Sequence, residues 1–175
     1  MAKLLKKNRI IYFFIITIIS SLLCIFASGK KDNSIDLTST LISSNYICLI
    51  LNNLYIHYMY TRCKKIKCIY DKIITRIGQK LFFNSYLLNS VIDIVVFFLI
   101  VAIPIYIKHG INNNYLILLI VYCFIYFLNF FIQECISMLT FLMPKGNFFI
   151  CIPVFMNFGF HYMIIPLLIQ FLFHY

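Results

Sequence analysis

Charge and tryptophan are what this sequence has least of. Of 175 residues only 11% are charged, five residues are acidic, and Trp is absent. A soluble domain is about a quarter charged, so this chain cannot clothe itself in a hydrated surface. Five Gly and four Pro leave no Gly/Ser linker, low-complexity tract or repeat of about 20–50 residues. The seven cysteines (Cys24, Cys48, Cys63, Cys68, Cys123, Cys135 and Cys151) are odd in number and form no C-x-x-C pair. They indicate neither a zinc site nor a disulfide framework and read as small, reduced, apolar side chains. A phosphate loop, HExxH, a Ser-His-Asp set and paired acids within an apolar run are also missing, so catalysis, a metal and a cofactor are not expected.

What is present is apolar: 63% of the residues are hydrophobic, including thirteen Tyr and nineteen Phe. The solvent that matches this composition is lipid. A span needs about 20 apolar residues to cross about 30 Å of hydrocarbon, and five runs qualify, at 10–28, 40–60, 86–107, 115–142 and 148–173. Backbone polar groups in lipid must be paired internally, and the runs lack the alternation of a barrel strand. The expected fold is therefore an all-α polytopic bundle of five or six transmembrane helices in a single membrane domain, 1–175. The first run follows Lys3, Lys6, Lys7 and Arg9, as a secretory signal would. Its apolar stretch exceeds the usual 7–15 residues of such a signal, roughly, so it reads as a span.

The net charge is +10, yet the cations lie between apolar runs and suit anionic headgroups rather than nucleic acid. Twelve fall at the N-terminus, in the 61–85 segment and at Lys145, against three (Lys30, Lys31, Lys108) on the opposite side. The positive-inside rule then places the protein in the cell membrane, multi-pass, with the N-terminus cytoplasmic. Five crossings put the C-terminus outside. A re-entrant last run, broken near Asn157–His161 between Pro153 and Pro166, would return it to the cytoplasm.

Within 61–85, the stretch 64–81 is amphipathic. Ile66, Ile69, Tyr70, Ile73, Ile77 and Leu81 recur at helical spacing opposite Lys65, Lys72, Arg76 and Lys80. The pattern predicts a helix lying in the headgroup plane, either as a membrane-hugging connector or as a docking element for a cytoplasmic partner. The run 69–80, IYDKIITRIGQK, followed by Leu81-Phe82-Phe83 and the third apolar run, resembles the segment before the third span of ABC-2-type transporter permeases. The likeness is to the small permeases of bacteriocin and lantibiotic export or immunity, and it rests on Arg76-Ile77-Gly78 and Lys80 over about residues 5–107. The resemblance implies that Lys72, Arg76, Ile77, Gly78 and Lys80 couple to a separate cytoplasmic ATPase subunit. It also implies a second permease chain beside this one and export of an antimicrobial or other apolar peptide. Permeases of that kind usually have six spans; five are counted here.

Intramembrane polar residues are costly and mark functional candidates. Asp93 reads either as a substrate-path or proton-relay group or as hydrogen-bonded to Asn89, Asn129 or Gln133. Glu134 falls at the inner headgroup level and reads as an anchor pairing with Lys145. Asn52, with Asn53, reads as interhelical glue, and Asn157 and His161 sit where the last run would break. His57 and Cys63 offer a base and a thiol, an arrangement similar to that of quorum-peptide-processing membrane endopeptidases, whose Gly-rich His motif is absent. On a continuous helix their six-residue spacing leaves them about 120° apart. A small accessory or immunity protein binding a larger complex is the remaining alternative.

Overall fold

The computed structural model describes residues 37–142 and 151–173, with five positions of the first run. Those five, Ile11, Ile15, Ile18, Ile19 and Leu22, are helical and exposed. The rest of that run, the N-terminal cations, Lys30, Lys31 and Lys145 lie outside the described residues, as do the signal and topology readings that depend on them. Among the described residues the chain is helical almost throughout and contains no strand.

Three helices are long and apolar enough to cross a membrane: Gln79–His109, Asn113–Thr140 and Cys151–Gln170. They correspond to the third, fourth and fifth apolar runs, and on this ground the protein is a membrane protein. The second run is different. It opens with α1 (Leu37–Ser43), is interrupted at Ser44, and passes through a π-helical turn at Tyr46–Leu51 into α2 (Asn52–Lys67). With 16 residues, several of them polar, α2 is too short and too polar to count as a spanning helix by itself.

The segment between the second and third runs is also divided differently from the sequence pattern. No Gly or Pro occurs between Ser44 and Ile77, so α2 continues to Lys67 and draws the first half of the segment into the bundle. A turn at Cys68 and Ile69 then starts α3 (Tyr70–Ile77). Gly78 adopts φ 79°, ψ 154°, a region open essentially to glycine alone, and joins α3 directly to α4 (Gln79–His109). The third helix therefore begins at Gln79, seven residues before the hydropathy boundary. Its 31 residues extend for ~46 Å, well beyond the ~30 Å of hydrocarbon.

Gly110, at φ 75°, ends α4, and its carbonyl accepts the Leu37 N–H at 3.0 Å. A 3₁₀ turn at Asn113–Tyr115 leads into α5 (Leu116–Leu142), with the Asn112 side chain accepting the Asn114 N–H at 3.1 Å. The last run is α6 (Cys151–Gly159), a π-helical turn at Phe160–Ile164 and α7 (Ile165–Phe173). Where the sequence suggested a break near Asn157–His161, the helix widens by a π turn and continues.

The main core joins α1, α2, α4, α5 and the last run around Tyr55, Phe97, Tyr122, Tyr126, Phe130 and Phe160. Tyr122 also donates its hydroxyl to the Leu41 carbonyl at 3.2 Å, tying α5 to α1. Leu88, Ile92, Val95, Leu99, Ile103 and Tyr106 remain exposed along one face of α4, as expected of a surface that meets lipid. A second, smaller core of Cys63, Phe82 and Tyr86 closes the end of the bundle nearest α3, with Ile66, Tyr70, Ile73, Phe83 and Met138 packed against it.

Candidate functional site

Helix α2 turns one face towards the bundle axis. Asn52, Tyr55, Met59 and Arg62 follow one another at steps of three and four on that face, with Tyr58 beside them, and all five are buried. A buried arginine requires anionic partners, because an isolated charge in a medium of low dielectric is very costly. Two are supplied from other helices. Arg62 Nη1 donates to Asp93 Oδ2 of α4 at 2.6 Å, and Nη2 donates to Glu134 Oε2 of α5. Arg62 is 6% exposed, Asp93 9% and Glu134 0%.

Hydroxyl groups complete the cluster. Tyr58 donates to Asp93 Oδ2 at 3.1 Å, Tyr55 to Glu134 Oε1 at 3.2 Å and Tyr86 to Glu134 Oε2 at 3.0 Å. Arg62 Nη2 also reaches the Tyr86 hydroxyl at 2.9 Å and Ser90 Oγ at 2.8 Å. The guanidinium lies over the Tyr86 ring, 4.6 Å from its centroid, in cation–π contact. Such pairing offsets the desolvation of the ions, while removal of one partner would leave an uncompensated charge. Arg62 Nε–H has no partner and belongs to the guanidinium lining a recess of about 150 Å³ with Ile66, Phe82, Ser85, Tyr86 and Asn89.

Nearly three helical turns from Arg62 along α2 is a neutral network. Asn52 Nδ2 donates to Asn157 Oδ1 at 3.2 Å, Asn157 Nδ2 to Asn53 Oδ1 at 3.3 Å, and Tyr126 to Asn52 Oδ1 at 2.6 Å. His161 Nε2 meets Asn45 Oδ1 at 2.9 Å. Asn45 and Asn52 flank the first π turn, Asn157 precedes the second and His161 lies within it. Between the two networks lies an aromatic layer, with Tyr55 4.7 Å from Phe97 and 5.2 Å from Phe130, ring to ring, and Phe130 4.8 Å from Tyr126.

Of the residues singled out from the sequence, the structure joins Asp93 to Glu134 through Arg62 and Asn52 to Asn157 directly. Glu134 points into the bundle, is wholly buried and pairs with Arg62, while Lys145, the partner expected from the sequence, lies outside the described residues. Asp93 bonds to Arg62 and Tyr58 rather than to an amide; Asn89 instead donates to the Ser85 carbonyl at 2.6 Å. Gln133 keeps both amide groups unpaired and Asn129 its Nδ2, although both side chains are buried. His57 and Cys63 do not meet. They occupy one continuous helix, His57 exposed and Cys63 buried with its Sγ 3.0 Å from the Tyr86 hydroxyl.

Lys72, Arg76, Ile77, Gly78 and Lys80 form a separate group, all exposed, on α3 and the elbow after it. The neighbouring Tyr70 phenol has its pKa raised by desolvation and, secondarily, by the Asp71 carboxylate. Among the described residues no group of three or more His, Cys, Asp or Glu is arranged to hold a metal ion.

Arg62 is the functional candidate that sequence reasoning missed, because it was counted among the cations of a connecting segment. Its signal was the spacing Asn52, Tyr55, Tyr58, Arg62, which continues the buried face of the second run past its apolar limit. No known family, curated protein or solved structure matches the chain.

Proposed function

We propose that this chain is the membrane subunit of an ABC-type exporter for an antimicrobial or other apolar peptide, driven by a separate cytoplasmic ATPase. In this reading it is a multi-pass protein of the cell membrane with its N-terminus and α3 on the cytoplasmic side. A second permease chain completes the translocation path. The reading is carried by one observation: a short helix, α3, is hinged by a single Gly78 onto a bundle helix and leaves Lys72 and Arg76, with Lys80 just past the hinge, uncovered. Such a surface suits an acidic cleft on a soluble partner. The buried Arg62–Asp93–Glu134 cluster adds support, since charged groups inside a membrane bundle belong more often to transport machinery than to inert anchors.

The test is co-purification of the tagged chain from its native membranes, with nucleotide photolabelling to identify an ATP-binding subunit. Recovery of a labelled subunit that is lost in the Lys72→Glu/Arg76→Glu/Lys80→Glu variant is the expected result. A chain that inserts normally and yields no labelled subunit, or yields it regardless of the three reversals, overturns the proposal. The alternative, an accessory or immunity protein bound to a larger membrane complex, is favoured by the internal pairing of Asn52, Asn157, Asp93 and Glu134, which leaves these groups engaged within the chain. It predicts a partner without nucleotide-binding activity.

A further inference from the structure

The smaller core brings α3 against the charged cluster. Tyr70 of α3 packs edge-on against Phe82 at 5.3 Å, ring to ring, and lies 6.4 Å from Phe83. Phe82 in turn lies 6.3 Å from Tyr86, one turn further along α4. Tyr86 is the end of this ladder and also a member of the cluster. Its hydroxyl meets Arg62 Nη2, Glu134 Oε2 and Cys63 Sγ at 2.9, 3.0 and 3.0 Å.

We propose that Tyr86 is a positioning residue that links the placement of α3 to the Arg62–Glu134 ion pair. Three features fit it for this role. First, a phenol is a rigid plate whose hydroxyl lies at the far end from its backbone, so tilting the ring displaces the oxygen most. Second, hydrogen bonds lose their strength steeply once distance and angle leave a narrow range, and three bonds converge on this one oxygen. Third, space and a pivot are present: the recess of about 150 Å³ borders both Phe82 and Tyr86, and α3 is joined to α4 through Gly78 alone. A shift of α3 moves Tyr70, Phe82 follows into or out of the recess, and the Tyr86 hydroxyl loses or regains its carboxylate. Every contact in the link lies within the chain, so it holds or fails independently of the ATPase reading.

Spatial continuity is not coupling, and the test measures coupling directly. Cys63 sits on the Tyr86 hydroxyl, and its rate of alkylation reports whether that position opens. The full-length protein in nanodiscs is labelled with a small maleimide, and the rate at each cysteine is resolved by peptide mass spectrometry. Loss of the aromatic contact in Tyr70→Ala speeds labelling of Cys63 about three- to tenfold, with Cys123 and Cys135 of α5 unchanged. Tyr70→Phe, which keeps the ring, retains the parent rate. In the reverse direction, Glu134→Gln speeds amide hydrogen exchange within Tyr70–Ile77. If Tyr70→Ala does not fold, Tyr70→Leu removes the ring while keeping its apolar bulk. A rise at Cys63 below threefold overturns the proposal. So does an equal rise at Cys63, Cys123 and Cys135, which is general loosening, and so does unchanged exchange in α3 when Glu134 is neutralised.

Discussion

Two polar networks, centred on Asn52 and Arg62 nearly three helical turns apart along α2, solve the same problem by different chemistry. The Asn52–Asn157 network is neutral: amides and a phenol donate to and accept from one another across α2, α5 and α6. The Arg62 network holds one cation and two carboxylates drawn from α2, α4 and α5, and therefore carries a formal charge of −1 if both acids are ionised. Amide pairs are the usual adhesive between membrane helices, each contributing about 0.6 kcal/mol on average. Charged groups buried within a bundle cost more to desolvate than amides do. The comparison teaches that hydrogen bonding alone would hold these helices together at smaller expense. The charged network is thus the better functional candidate, and the only one of the two that touches the small core under α3.

The largest effect that separates the networks is expected at Arg62. Arg62→Met leaves Asp93 and Glu134 without their cation and should destabilise the bundle by about 3–5 kcal/mol, read as a fall in thermal unfolding temperature of the detergent-solubilised chain. Replacing all three together, as Arg62→Met with Asp93→Leu and Glu134→Leu, should recover most of that loss, since well-packed apolar groups often match a buried ion cluster in stability. Failure of the triple variant to regain stability would mean that the network fixes the bundle's arrangement and not merely its charge balance.

The next effect lies at the elbow. A β-carbon at Gly78 meets nothing within 4 Å, so Gly78→Ala is penalised through its backbone angles alone, by about 1–3 kcal/mol. Gly78→Asn should not rescue it, because ψ 154° lies outside the left-handed region that Asn tolerates. Amide hydrogen exchange should rise in α3 and around Phe82 and Tyr86, and remain unchanged around Asn52 and Asn157. An equal rise in both regions would erase the distinction between the networks.

The bundle's outline was legible because lipid imposes a simple rule on long segments: runs 86–107, 115–142 and 148–173 each correspond to a helix able to cross. The divisions of the second run were not legible. Hydropathy averages over a window and cannot register that Ser44 interrupts the helix or that Tyr46–Leu51 winds as a π turn. The same averaging set the third helix seven residues late, since Gln79, Lys80, Asn84 and Ser85 lower the mean without breaking a helix. At the site, Asp93, Glu134, Asn52 and Asn157 were found because polar residues stand out in apolar runs. Their partners were not, because Tyr55, Tyr58 and Tyr86 look like ordinary aromatic content, and Arg62 looks like one more cation among Lys64, Lys65 and Lys67. Pairing is a property of facing helices, and no local pattern encodes which helices face.

The smallest effect bears on the neutral network. Asn52→Ala and Asn157→Ala each remove an amide that bonds its counterpart, and a double-mutant cycle on unfolding free energy isolates their interaction. For helix adhesion the coupling should be about 0.6 kcal/mol and not exceed about 1.7 kcal/mol. Tyr126→Phe, which frees one acceptor on Asn52 without changing ring packing on Phe130, should be of similar size. A larger coupling has a definite meaning here, because Asn52 lies directly after one π turn and Asn157 three residues before the other. A value of several kcal/mol would show that the amide pair holds both π turns in place, and the neutral network would then join the charged one as part of the working core.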